Sequence, residues 1–188
     1  MQTLTLELPR DVALHVSQEE FTAIAAANRD LRLERTAGGE LVVNPPTDDD
    51  TGRRNASITA DLVVWSRQHG GICYDSSTGF KLPNGATRSP DAAWVEQARY
   101  DALSSHDEYV PLCPDFVVEL RSKSDNLSPL RDKMLEYMEN GARLGWLINP
   151  KDRQVEIYRL GQEAEVLNDP DQLSGEGVLP GFSLRYIW

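Results

Sequence analysis

The sequence predicts an α/β fold with a mixed central sheet and helices on its faces. Three observations predict it. From Arg53 onward the periodicities run helix, strand, strand, strand, helix, strand, an order that builds a sheet covered by helices. Phe116-Val117-Val118 follows the breaker Pro111 to Pro114 as a compact apolar run, the pattern of a strand buried on both faces. The chain has 188 residues, 40% hydrophobic and 26% charged, which fits one globular domain. Within it, residues 1–52 read as an N-terminal helix and hairpin, 53–150 as the core and 151–188 as C-terminal strands.

The elements follow in order. Thr3 to Leu8 alternates as a short strand. It lacks the basic leader and apolar core of a signal peptide, so a cytoplasmic location is expected. No apolar stretch approaches the roughly 18 residues that span a bilayer, and no membrane partner is expected. Ser17-Gln18-Glu19-Glu20 is a capping box, opening a helix that carries Phe21, Ile24 and Ala25 and ends near Asn28. Leu31 to Arg35 and Glu40 to Val43 flank Ala37-Gly38-Gly39 as a hairpin. Thr47 to Gly52, with three successive aspartates, reads as an exposed loop without calcium-loop spacing.

Ile58, Leu62 and Trp65 place a helix over Arg53 to His69, stopped by Gly70-Gly71. Ile72 to Leu82 and Thr87 to Val95 read as antiparallel strands about the Pro83-Asn84-Gly85 turn. Pro90 marks an edge, a strand start or a bulge. Ser128-Pro129 predicts a helix start, with Ser as cap and Pro at the first helical position. Leu130, Met134, Tyr137 and Met138 form its stripe and Gly141 its end. Leu144 to Ile148 and Gln154 to Leu160 form another hairpin, and a short strand after Leu179-Pro180-Gly181-Phe182 runs to Trp188.

Composition narrows the function classes. Cys73 and Cys113 lie in no CxxC or Cys/His cluster, which argues against zinc and for free buried thiols. His15, His69 and His106 have no ligand spacing to one another. The net charge of -11 runs against a generic nucleic-acid binder, since neutralising phosphates drives that affinity. It leaves a metal site open, because such sites need carboxylates.

Two acids stand where acids are disfavoured. Asp91 follows Pro90 ahead of Ala92-Ala93-Trp94-Val95, and Glu119 closes the apolar run at Phe116. A carboxylate at a buried strand end needs a partner or a cation. Residues two apart on a strand share a face, so Glu119 and Arg121 should point the same way. If the Asp91 strand lies beside the Glu119 strand, two carboxylates and a guanidinium converge. Two carboxylates with waters and a phosphate oxygen suit Mg²⁺, which would polarise a phosphate and acidify the attacking water. Arg121 would stabilise the developing charge. Taken singly, each acid also has a structural explanation: an ion pair of Glu119 with Arg121, or a turn cap at Asp91.

Several motifs together carry a resemblance. Ser89-Pro90-Asp91-Ala92-Ala93-Trp94-Val95 precedes Pro114-Asp115-Phe116-Val117-Val118-Glu119-Leu120-Arg121-Ser122. Lys133-Met134-Leu135-Glu136-Tyr137-Met138-Glu139-Asn140-Gly141 follows, then the strands around Asn149-Pro150. With Leu33-Glu34 and the terminal Leu179-Pro180-Gly181-Phe182, these span nearly the whole chain. They resemble the Uma-two family, first met as a domain of unknown function and classed with restriction endonucleases in the PD-(D/E)XK nuclease superfamily. The resemblance implies a restriction-endonuclease-like αβββαβ core that hydrolyses phosphodiester bonds in DNA. It implies Asp91 and Glu119 as ligands of Mg²⁺ or Mn²⁺, the Leu120 carbonyl as a third ligand, and a homodimer. Glu34 matches a family glutamate as an additional acid, or is a strand-edge residue beside Arg35. The superfamily lysine falls at Arg121, and an arginine cannot act as a base. Lys133, at a family position on the following helix, is the favoured substitute over Lys123, with a solvated helix face the alternative. Arg53-Arg54 could grip a phosphate or simply be exposed.

Two further functions stay open. One is a catalytically weak or inactive relative acting as a binding or interaction module, kept alive by Arg121 and the acidic charge. The other is a hydrolase of smaller phosphate esters.

Overall fold

The computed structural model describes residues 13–104, 109–185 and 188. The strand expected at Thr3 to Leu8 and His106 lie outside the described residues. Helix α1 (Gln18–Ala27) begins as its capping box requires: Glu20 N–H donates to the Ser17 hydroxyl (3.1 Å) and Ser17 N–H to the Glu20 carboxylate (2.7 Å). β1 (Arg32–Arg35) and β2 (Leu41–Asn44) form the expected hairpin, with Leu33 opposite Val43.

Helix α2 (Asp49–His69) starts earlier than predicted. The aspartate run is the cap and first turn, not a loop. Asp48 accepts from the Thr51 N–H (3.2 Å) and hydroxyl (2.8 Å), and Asp49 and Asp50 sit where the helix dipole favours negative charge. Arg53 and Arg54 pair with Asp50 along the same helix. The buried face carries Ile58, Leu62 and Trp65, and Gly70 ends the helix with φ of 88°, a conformation open to glycine.

The long hairpin expected over 72–95 divides between two sheets. β3 (Ile72–Asp75) pairs with β6 (Ala92–Val95), while β4 (Phe80–Lys81) pairs with β5 (Thr87–Arg88), which continues onto β1. The breaks are local. Asp75 closes a turn by accepting from Ser77 N–H (3.0 Å), and Pro90, without an N–H, interrupts the returning strand just before β6. The result is a small sheet ordered β2-β1-β5-β4 docked on a larger one.

A short helix α3 (Gln97–Asp101), absent from the sequence prediction, precedes β7 (Phe116–Leu120). Helix α4 (Leu127–Glu139) is capped at Asn126 rather than Ser128. Pro129 stands at its third position, still among the first-turn residues whose N–H groups have no intrahelical acceptor. β8 (Leu144–Asn149) and β9 (Gln154–Arg159) form the predicted hairpin, joined by β10 (Glu165–Asn168); β11 (Gln172–Ser174) pairs with β12 (Ser183–Arg185).

The main sheet is six-stranded, ordered β10-β9-β8-β7-β6-β3. Only β7 and β8 run parallel among its pairs, and α4 makes the crossover that a parallel pair needs. The order α2, β3, β6, β7, α4, β8 is therefore the expected αβββαβ core, mixed and covered by helices. Alternation along β7 sorts its side chains. Phe116, Val118 and Leu120 join Ile58, Leu62, Trp146 and Phe182 on the α2 side. Val117 joins Met134, Tyr137 and Leu147 on the α4 side. α4 packs so closely that a Cβ on Gly145 would lie 2.5 Å from the Met134 methyl. Among the described residues no helix is long and apolar enough to cross a membrane.

Candidate active site

The register of β6 and β7 builds the site. Ala92 pairs with Val118, so Asp91 and Glu119 occupy the next rung at one end of the sheet. Asp91 N–H donates to the Val118 carbonyl (2.9 Å) and Leu120 N–H donates to Asp91 Oδ2 (2.8 Å). That second bond fixes the Asp91 carboxylate against the end of β7. Glu119 shares Val117's face, toward α4, and is 2% exposed. Both acids and Leu120 line one cleft of about 410 Å³ with Arg32, Asp48, Lys123 and Lys133.

Lys133 enters from α4. Its ammonium lies 2.8 Å from Glu119 Oε1, 2.9 Å from Glu34 Oε1 and 3.4 Å from the Ser89 carbonyl. Tyr137, one turn on, donates its hydroxyl to the same Glu119 oxygen (3.0 Å). Glu34 also accepts from Ser89 N–H (3.2 Å) and pairs with Arg88 (3.3 Å), so this acid of β1 ties the small sheet to the site. Of the predicted site residues, Asp91, Glu119, Leu120, Lys133 and Glu34 are brought together.

Arg121 is not. β7 ends at Leu120, and the alternation that would aim Arg121 beside Glu119 ends with it. The Arg121 guanidinium donates instead to Asn149 (3.1 Å), Asp152 (3.0 Å) and the Asp125 carbonyl (3.2 Å), and it is not a wall of the cleft. Its expected convergence with the two acids is corrected accordingly.

Three residues escaped the sequence reading. Arg32 donates to the Ser89 carbonyl (3.0 Å) and reaches Asp91 Oδ1 at 3.4 Å. Asn55 of α2 donates to the same oxygen (3.2 Å), and Tyr137 was assigned only to an apolar stripe. For Arg32 a signal existed: it stands two residues before Glu34 on one strand, hence on the same face.

Crowding of like charge shapes the titration. Burial pushes the Glu119 carboxyl up to about 7; Lys133 works against that, while Asp91 and Glu34 add to it. Burial opposes charge on Lys133 too, but Glu119 and Glu34 outweigh it and hold the ammonium above its ordinary range. Burial would raise Glu34, yet Lys133 and Arg88 prevail and hold it low. Burial and the adjacent Glu119 drive the Tyr137 phenol well up. A lysine held this firmly protonated serves as fixed charge, not as a base.

Among the described residues no group of three or more His, Cys, Asp or Glu is arranged to hold a metal. Asp91 and Glu119 bring carboxylate oxygens to the wall of the cleft beside Leu120, with Asp48 and Asp125 also lining it. Such an all-oxygen set with few protein ligands fits Mg²⁺, which keeps most of its waters, and the pinned Asp91 places one donor without a further side chain.

The mixed sheet, with acids on adjoining ends of two neighbouring strands and a lysine beside them, has a nuclease-like fold. The chain belongs to the Uma2 family, whose model, described as "Putative restriction endonuclease", matches residues 18–186. Among solved structures it is similar to that of a "putative nuclease belonging to DUF820" from Anabaena variabilis. The TM-score is 0.72 at 18% identity, covering 81% of this chain and 86% of the other; that likeness establishes the fold. A search of the curated proteins finds no match.

Proposed function

We propose that the chain is a divalent-cation-dependent endonuclease that hydrolyses phosphodiester bonds in DNA. The observation that carries this is one shared cleft. Asp91 and Glu119, on neighbouring rungs of β6 and β7, line it together with Leu120 and Lys133. Asp91, Glu119 and the Leu120 carbonyl would hold Mg²⁺ or Mn²⁺. When bound, the cation supplies polarisation of the phosphate and a more acidic attacking water.

The chain's own groups do the rest. Tyr137 and Lys133 orient Glu119 through its Oε1. Asn55 and the Leu120 amide orient Asp91. Lys133, shared between Glu34 and Glu119, keeps positive charge beside the reacting phosphate. Cytoplasmic residence fits both cysteines being free thiols, as a reducing compartment keeps them. A homodimer is part of the proposal, and a monomer mass by light scattering at micromolar concentration removes it.

The test is plasmid nicking with Mg²⁺ or Mn²⁺, together with calorimetric cation titration. Wild type cleaves and binds; Asp91→Ala and Glu119→Ala do neither. A second function is favoured by one observation: Arg121, at the position of the superfamily lysine, is diverted to Asp152 and Asn149, and Lys133 is held protonated by Glu119 and Glu34, so neither can act as a base. In that case the chain is a weak or inactive nuclease-fold protein acting as a binding module, and DNA is retained without cleavage. Cleavage of a nucleotide ester but not of plasmid points to a smaller substrate.

A further inference from the structure

We propose that Arg32 is the phosphate-binding residue of this cleft, supplying the fixed positive charge that the strand pattern assigned to Arg121. The inference rests on the nucleic-acid function proposed above and deepens it.

The cations near the acids differ in what they have left to give. Lys133 has three N–H donors and three acceptors already around it, at 2.8, 2.9 and 3.4 Å. It cannot meet a phosphate without releasing a carboxylate. Arg88 is bound to Glu34 and Glu136 and is not a wall of the cleft. Arg121 is bound to Asn149 and Asp152. Lys123 lines the cleft but is exposed on its rim, where water and salt screen it.

Arg32 is different. Both of its polar contacts come from Nη2, to the Ser89 carbonyl at 3.0 Å and to Asp91 Oδ1 at a long 3.4 Å. Its Nε is buried with no hydrogen-bond partner. A guanidinium carries five N–H donors in a planar fork, so most of this one's capacity is unspent. The side chain is 30% exposed and lines the cleft beside both proposed carboxylate ligands. A buried donor without a partner is costly, and because this Nε is closed off as it stands, the side chain must turn before a phosphodiester oxygen beside Asp91 can accept from it. Guanidinium geometry matches phosphate bidentately. In this account Arg32 holds Asp91 while the cleft is empty of substrate and turns to the phosphate when a strand enters.

The test uses the full chain and four variants: Arg32→Ala, Arg32→Gln, Arg32→Lys and, for comparison, Lys123→Ala. Binding of a fluorescent 16-base-pair duplex is followed by anisotropy in EDTA and in Ca²⁺ over a range of salt. Calorimetry follows Mg²⁺ alone, and plasmid cleavage follows activity. Arg32→Ala and Arg32→Gln should weaken duplex binding about tenfold and reduce the salt slope by about one. Cleavage should fall about a hundredfold, with Mg²⁺ affinity kept or raised because a cation competing for Asp91 is gone. Arg32→Lys should recover part of the binding, and Lys123→Ala should change it less than threefold. Arg32→Gln keeps a donor for Ser89, so it covers the case in which Arg32→Ala does not fold. Duplex affinity and salt slope equal to wild type in a folded Arg32→Gln would overturn the inference, as would Mg²⁺ affinity falling in step with cleavage. Wild type that binds duplex without cleaving it, while the Arg32 variants bind weakly, supports the inference and removes only the endonuclease activity.

Discussion

Glu119 and Glu156 are both buried glutamates of the main sheet, both accept from a tyrosine hydroxyl, and both face a cation from α4. They are satisfied differently. Glu156 on β9 has Arg131 to itself, through bonds of 2.9 and 2.6 Å to one oxygen and 3.1 Å to the other, with Tyr158 donating at 2.7 Å. The Arg131 side chain is 49% exposed, so water shares the charge. Glu119 must share Lys133 with Glu34, and Asp91 adds a third acid nearby. One acid is fully met by its partner. The other is left with negative charge to spare on the wall of a cleft. A matched buried pair holds a fold together; under the proposed function, the undermatched one is where a cation would bind.

Substitutions can break or sharpen this contrast. The largest effect is expected at the undermatched acid. Under the proposed function, Glu119→Gln lowers plasmid cleavage about a thousandfold while leaving the melting temperature equal or higher. Glu156→Gln keeps cleavage per folded molecule within about twofold and melts lower. Nicking kinetics with parallel circular-dichroism melts decide it, and the contrast fails if both variants lose only stability.

Next comes Lys133→Met, which strands two buried carboxylates at once. It should cost about 4 kcal/mol in urea unfolding at neutral pH. Arg131→Ala strands one, partly reached by water, and should cost about 2 kcal/mol. A reversed ranking would mean that the two clusters do not differ as described.

Glu34 supplies a pH signature. Its folded pKa lies below the unfolded value of 4.5, so its stabilisation is complete above that pH and is lost as pH falls through the lower folded value. Unfolding free energies of wild type and Glu34→Gln, compared from pH 6 to 3, should therefore converge toward the acid end. Smallest is Arg131→Lys, which keeps the charge but not the fork and should cost about 1 kcal/mol.

What could be read from the sequence was what is local. Ser17 with Glu20, the Phe116 run and Gly141 each carry their instruction within a few residues, and each element formed. The 72–95 hairpin divided because the choice between two sheets depends on β1, forty residues upstream or more, offering an edge to Thr87. Arg121 was misplaced because alternation presumes that the strand continues, and β7 stops one residue short. Asp91 and Glu119 were legible as acids in apolar company, and their meeting follows from a register that no local pattern encodes. Lys133 was found through family likeness, since nothing in its own spacing ties it to Glu119. Arg32 was passed over because a charged residue on a hairpin is ordinary until its neighbours are known.

The bond between Lys133 and Glu34 joins positions 99 residues apart. A ribosome releases β1 early; its carboxylate can meet Arg88 and the Ser89 amide before α4 exists, and gains Lys133 only once α4 has been made. Closing so long a loop costs entropy that grows with the logarithm of its length, repaid only when the whole sheet has gathered. A nascent polypeptide ending before Leu127 would carry both proposed ligands without the ammonium between them. Under the proposed function, such a half-made molecule would lack the fixed charge that orients Glu119, and competence would wait on α4.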